Sequence, residues 1–173
     1  MTRPPAPPIP LQADERSMLM AFLRYYRAAL LDRAYGLDAE QLRTRLEPSP
    51  LTIGGLLCHM ALVELVWFRH RLVDGGMPEP FAGLDFDTDA DAEMTQALSL
   101  SADEMRGLFL TSCAETDELI ASAESVDQLS ALSNNDGEHW SLRWILVHMI
   151  EEYARHCGHA DLIRESIDGD VCE

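Results

Sequence analysis

Apolar residues recur at helical spacing over four long stretches of the chain, and the alternation that marks strands is nearly absent. In the first stretch, from about Asp14 to Tyr35, Leu19, Phe22, Leu23, Tyr26 and Leu30 fall on one stripe, and Gly36 follows where a left-handed cap is common. A short helical turn over Asp38 to Leu46 precedes the breakers Pro48 and Pro50. The second stretch begins at Thr52, a good N-cap, and runs to Asp74, where Gly75, Gly76 and Pro78 end it. It is apolar round most of its circumference (Leu56, Leu57, Met60, Leu62, Val63, Leu65, Val66, Trp67, Phe68), which predicts a central position.

Residues Pro78 to Leu100 are rich in proline, glycine and acidic side chains and predict a long, solvent-facing crossover. Ser101 with Glu104 has the form of a capping box. The helix it starts continues to about Glu124, with Met105, Leu108, Phe109, Ser112, Thr116 and Leu119 facing inward. A polar linker containing Asn134-Asn135-Asp136-Gly137 leads to Ser141, which caps a fourth helix ending near Ile167 before Asp168-Gly169. Four long helices and a long crossover predict an all-α chain folded as an antiparallel four-helix bundle. Residues 14–173 form one domain in this reading. Residues 1–13, with five prolines between Pro4 and Pro10, form an extended arm.

Charge narrows the function. The 30 acidic residues against 13 basic ones give a net charge of −17, which disfavours nucleic acid and anionic membrane surfaces as partners. No run approaches the ~20 apolar residues of a membrane span, and the first residues lack the apolar core of a signal peptide. The four cysteines (Cys58, Cys113, Cys157, Cys172) have no paired short spacing and read as reduced thiols, which predicts a cytoplasmic location. A homodimer through one helix face is compatible with a bundle of this size.

Candidate chemistry concentrates on the fourth helix. His148, Glu152, His156 and His159 fall within about 80° of one another around a helix, with Arg155 beside them. Glu152 and His156, one turn apart, can place a carboxylate oxygen and an imidazole nitrogen on one cation. Such a pair on a helix is also a common surface ion pair. His59, on the same face as Leu56 and Val63, is the best third ligand from a neighbouring helix, and is equally a hydrogen-bonded core histidine. His70, at the end of its helix beside Arg69 and Arg71, and His139, before the fourth helix, are weaker candidates. Cys58 and Cys157 each adjoin a proposed ligand but point 100° away from it. The chain has neither the His-Glu-x-x-His pattern of zinc proteases nor a Glu-x-x-His pair of the di-iron type. Gly54-Gly55 lacks the strand and the lysine of a phosphate loop and reads as a close-packing pair.

Two stretches resemble a known family. Gly54-Gly55-Leu56-Leu57-Cys58-His59, with Glu64 and Trp67-Phe68, resembles the second helix of the DinB-like superfamily. The run from His148 to Glu165, containing Glu152-Tyr153-Ala154-Arg155-His156, resembles its last helix. The resemblance implies a four-helix bundle holding one divalent metal through three side chains. The Glu at 152 departs from the all-histidine pattern of Bacillus-type members and is similar to the His, Glu, His set of the mycothiol-dependent, actinobacterial branch. The carry-over lands on His59, Glu152 and His156. It implies a mycothiol-dependent S-transferase or isomerase with zinc as the metal, nickel or iron being alternatives, and with a small thiol and a small electrophile as substrates. Arg155 and His159, beside the ligands, would bind an anionic substrate or orient a ligand. Two other classes stay open: a non-catalytic metal- or thiol-binding module, and a helical interaction protein.

Overall fold

In the computed structural model, which describes residues 6–171, each long helix starts where a side chain accepts from its free backbone N–H groups. Asp14 does so for α1 (Glu15–Arg33), Thr52 for α3 (Ile53–Glu64), Ser101 for α5 (Ala102–Ser122) and Ser141 for α6 (Leu142–Asp168). Ser101 and Glu104 form the reciprocal capping box, and Asp38 and Gln41 form another at the one-turn α2 (Ala39–Leu42). Gly169 closes α6 at φ 77°, a conformation that favours glycine. The chain is all-α in its long elements, and no helix among the described residues is long and apolar enough to cross a membrane. Of the proline arm, Met1 to Pro5 lie outside the described residues, and 6–13 are irregular and mostly exposed.

Contacts between distant residues give the helix directions. Arg143 pairs with Glu15 at the start of α1, and Arg33 at its end pairs with Asp161, so α1 and α6 run parallel. Arg16 donates to the carbonyls of Ile120 and Ala123, and Arg106 to those of Ala34 and Leu37, so α5 runs opposite to α1. Thr116 meets Glu64, and a Cβ on Gly54 would sit 2.6 Å from the sulfur of Met105, so α3 and α5 are parallel. The directions are up, down, down, up rather than a strict alternation. Two successive parallel long helices require a return along the whole molecule, and residues 73–101 supply it.

That return is not the solvent-facing crossover its composition suggests. Phe81, Glu93 and Ala97 are buried, and α4 (Ala92–Gln96), with the 3-10 turn Ala97–Ser99, packs on α3. The polar linker likewise holds more order than expected. Strands β1 (Leu129–Ser133) and β2 (His139–Ser141) pair antiparallel across a turn in which Asn134 Oδ1 accepts from the backbone of Asp136 and Glu138 at 2.9 Å. Gly137, at φ 79°, completes the turn. Finally, α3 does not continue as an α-helix to Asp74: Leu65–Leu72 is π-helical, a wider winding frequent at functional sites.

All four long helices meet at one buried carboxylate. Glu64 is fully enclosed at the α3–π junction and accepts two bonds from Arg27 of α1, at 2.7 and 2.6 Å. Thr116 of α5 and the Tyr153 hydroxyl of α6 each donate to it at 2.7 Å. A buried ion is tolerated when its lone pairs are satisfied in this way, and truncating one member leaves an uncompensated charge. Glu64→Ala is therefore expected to cost about 3–5 kcal/mol, and Tyr153→Phe, which removes one hydrogen bond to a charge, about 1.5–3 kcal/mol. Urea unfolding of the three proteins checks both; a Glu64→Ala midpoint equal to wild type would contradict the network's role.

Candidate metal centre

The opposite directions of α3 and α6 bring His59 to the level of His156, and the two imidazoles meet edge to face with centroids 5.0 Å apart. Glu152, one turn earlier on α6, faces both, and its Oε2 lies 3.5 Å from His156 Nε2. One ligating atom from each of His59, Glu152 and His156 lies within 4.8 Å of the other two. All three side chains are mostly covered, with 23%, 16% and 10% exposure respectively.

The surrounding groups fix which atoms face the shared space. His59 Nδ1 is 2.8 Å from Glu93 Oε1. A carboxylate oxygen accepts, so Nδ1 carries the proton, and in the neutral imidazole the lone pair is then on Nε2. Arg155 takes up the other oxygen of Glu152, Oε1, at 3.0 Å, and also pairs with Glu151. His159 Nδ1 lies 3.4 Å from His156 Nδ1, on the side of the ring away from Glu152. Burial, reinforced by His59, His159 and Arg155, lowers the pKa of His156 to about 4, so its ring is neutral at ordinary pH.

These residues fit a divalent cation. Two imidazole nitrogens and one carboxylate oxygen are a common donor set that leaves a coordination position open. The 3.5 Å between His156 Nε2 and Glu152 Oε2 is close to the edge of a tetrahedron with bonds of about 2.1 Å. Glu93 Oε2, next to the oxygen that meets His59, is buried without a hydrogen-bond partner among the described residues, an unsatisfied acceptor beside the site. A second group, His148, Glu151 and Glu152, also comes together, but it is more exposed and shares Glu152 with the first.

The other candidates fall elsewhere. His70 is part-buried within the π-helix rather than at a frayed end, and His139 lies on β2, its Nδ1 2.6 Å from the Ser130 carbonyl. Cys58, Cys113 and Cys157 are free thiols pushed up to about 12 by burial first of all, and Cys172 lies outside the described residues. Gly54 and Gly55 are packing glycines: a Cβ on Gly54 would approach the Leu42 carbonyl to 3.0 Å, and one on Gly55 the Thr52 hydroxyl to 3.0 Å.

Sequence reasoning missed Glu93. It belongs to a run of alternating acidic residues, and its only distinction there is Met94, Ala97 and Leu100 following at helical spacing. Also missed was the aromatic group of Trp67, Trp140, Trp144 and His148 beside the site, which forms only when the hairpin folds over the π-helix.

The depressed pKa of His156 sets a pH dependence for the metal-free protein. The unfolded chain takes up the proton near pH 6.5 and the folded one only near 4, so His156 favours unfolding progressively as pH falls between those values. Denaturant titrations at pH 7 and pH 5 should show a smaller loss on acidification for His156→Gln than for wild type. Equal losses would mean that the ring is not held neutral.

No curated protein matches the chain. A family model described as mycothiol-S-transferase matches residues 18–169, from within α1 through the end of α6, and so covers every residue placed in the site. On the strength of that match the chain belongs to the mycothiol-S-transferase family.

Proposed function

We propose that the protein is a metal-dependent S-transferase that joins mycothiol to a small electrophile, with one zinc ion held by His59, Glu152 and His156 inside a four-helix bundle. The observation that carries the reading is the convergence of three ligating atoms, from two separate helices, within 4.8 Å of one another. Family membership supplies the thiol. A cytoplasmic location goes with the proposal, since low-molecular-weight thiols are kept reduced there.

A bound divalent cation would lower the pKa of a coordinated thiol from about 8.5, so that the sulfur is a thiolate near neutral pH. The chain's own residues prepare the site for that chemistry. His156 offers a lone pair because burial keeps it unprotonated. Glu93 holds His59 in the tautomer that leaves Nε2 free. Arg155 occupies Oε1 of Glu152 and leaves Oε2 turned to the site. His159 stands behind His156, its Nδ1 3.4 Å from the Nδ1 of His156, where it can accept a weak hydrogen bond when Nε2 of His156 is the ligating atom. Arg155 and His159 thus support orientation of the ligands better than capture of an anion.

The cysteines support a thiol brought from outside. Those of the described residues near the site, Cys58 and Cys157, are buried and hold their protons, so neither supplies a thiolate. The sulfur nucleophile of this reading is therefore the cosubstrate's.

The test combines metal analysis with turnover. Purified wild type should hold close to one zinc per chain and consume mycothiol with some member of a panel of small electrophiles. His156→Ala should lose both. Glu93→Ala should keep the fold and weaken zinc about 10- to 100-fold, as loss of a histidine's hydrogen-bond partner does. Full metal retention by His156→Ala would remove the site. A zinc-loaded wild type that neither consumes nor binds mycothiol would remove the transferase and leave a metal-binding module.

A further inference from the structure

Beside the proposed centre lies an aromatic cleft that the ligand arrangement does not use. Trp140 on β2 and Trp144 in the first turn of α6 border a cavity of about 410 Å³ that also touches Asn134, Glu138 and His139. Trp144 is 45% exposed, unusual for the largest aromatic side chain.

The rings are held in place. Trp67 packs against Trp140 and Trp144 with centroids 5.3 and 5.2 Å apart. The Arg71 guanidinium lies 4.7 Å from the Trp140 ring and 5.1 Å from that of Trp67. Arg71 lies against these rings although the chain carries a net charge of −17. Its Nε is buried without a partner. The charge is thus engaged with indole faces, which fixes the two rings as a wall.

His148 stands between the cleft and the centre and touches both. His148 stacks on Trp144 at 5.0 Å with planes 22° apart, and one of its nitrogens is within 4.8 Å of a Glu152 carboxylate oxygen. The middle of the Trp144 ring therefore lies no more than about 11 Å from that carboxylate, allowing for the size of an imidazole.

We infer that this cleft binds the sugar portion of the thiol cosubstrate, with a ring of the pseudo-disaccharide laid on Trp144 and its hydroxyls hydrogen-bonded to Glu138 and Asn134. The inference deepens the transferase reading and rests on it. Mycothiol is N-acetylcysteine joined by an amide to glucosamine and thence to inositol. Pyranose and cyclitol rings present an apolar C–H surface above and below and hydroxyls at the edge. Such a ligand suits an indole wall edged by a carboxylate and an amide. The two rings lie roughly 7 Å and 12 Å from the sulfur at ordinary bond lengths. With the sulfur beside Glu152, one of them reaches Trp144. The ligand is also uncharged apart from its thiol, so the acidic surface does not repel it.

Two measurements on the full chain test this. The first titrates metal-free protein with N-acetylglucosaminyl-inositol, which lacks the cysteine but keeps the uncharged amide, and follows tryptophan fluorescence. Wild type should show saturable quenching, and Trp144→Ala should lose it. The second compares kcat/KM for mycothiol with that for N-acetylcysteine in the zinc-loaded protein. The preference for the glycosylated thiol should fall about 5- to 10-fold in Trp144→Ala, the range expected for one stacking contact. Glu138→Ala, an exposed change, should lower the same preference if Trp144→Ala is poorly folded. A wild type that turns over mycothiol but keeps its preference in both variants would overturn the cleft while leaving the transferase intact. A wild type that binds neither mycothiol nor the sugar would overturn both.

Discussion

The buried carboxylate of Glu64 ties α3 to the other three long helices. It is fully enclosed, and its four hydrogen bonds come from α1, α5 and α6. Apolar contacts alone tolerate sliding and rotation of packed helices, since the hydrophobic effect has no direction. A buried ion does not, because every donor must arrive within hydrogen-bond distance or a charge is left uncompensated. Arg27, Thr116 and Tyr153 therefore set the register of their helices against α3.

The candidate centre inherits that register. Tyr153, bonded to Glu64, is flanked on α6 by Glu152 and lies three residues before His156. His59 is five residues before Glu64 on α3. Fixing Tyr153 against Glu64 thus fixes the height at which the two ligand-bearing segments face one another, and the antiparallel α3 and α6 put His59 opposite His156. The π-helix starting after Glu64 then changes the helical phase and carries Trp67 against His148, joining the centre to the aromatic end of the molecule.

Much of this was legible in the sequence because local chemistry carries it. Asp14, Thr52, Ser101 and Ser141 announce helix starts through their side-chain oxygens, and Gly169 announces an end. The helical spacing of Glu152 and His156 put two donors on one face whatever the packing. What escaped depends on contacts across the fold. Glu64 stands out in an otherwise apolar run and belongs to the residues of the family resemblance, but its partners Arg27, Thr116 and Tyr153 come to it only in the fold. Glu93 is one acid among several on the crossover, and its burial follows from α4 docking on α3 beside His59. The hairpin was signalled by Asn134-Asn135-Asp136-Gly137 between short β-compatible runs, but its polarity resembles that of a loop. The π-winding of Leu65–Leu72 has no residue signature in the chain.

In the proposed function, His59, Glu152 and His156 hold a cation with a position left open for sulfur. X-ray absorption of the zinc-loaded protein, before and after addition of mycothiol, tests it most directly. The protein alone should show only nitrogen and oxygen neighbours, two of them imidazoles, and one sulfur at about 2.3 Å should join them once the thiol is added. A sulfur neighbour before mycothiol is added, or none afterwards, would contradict it.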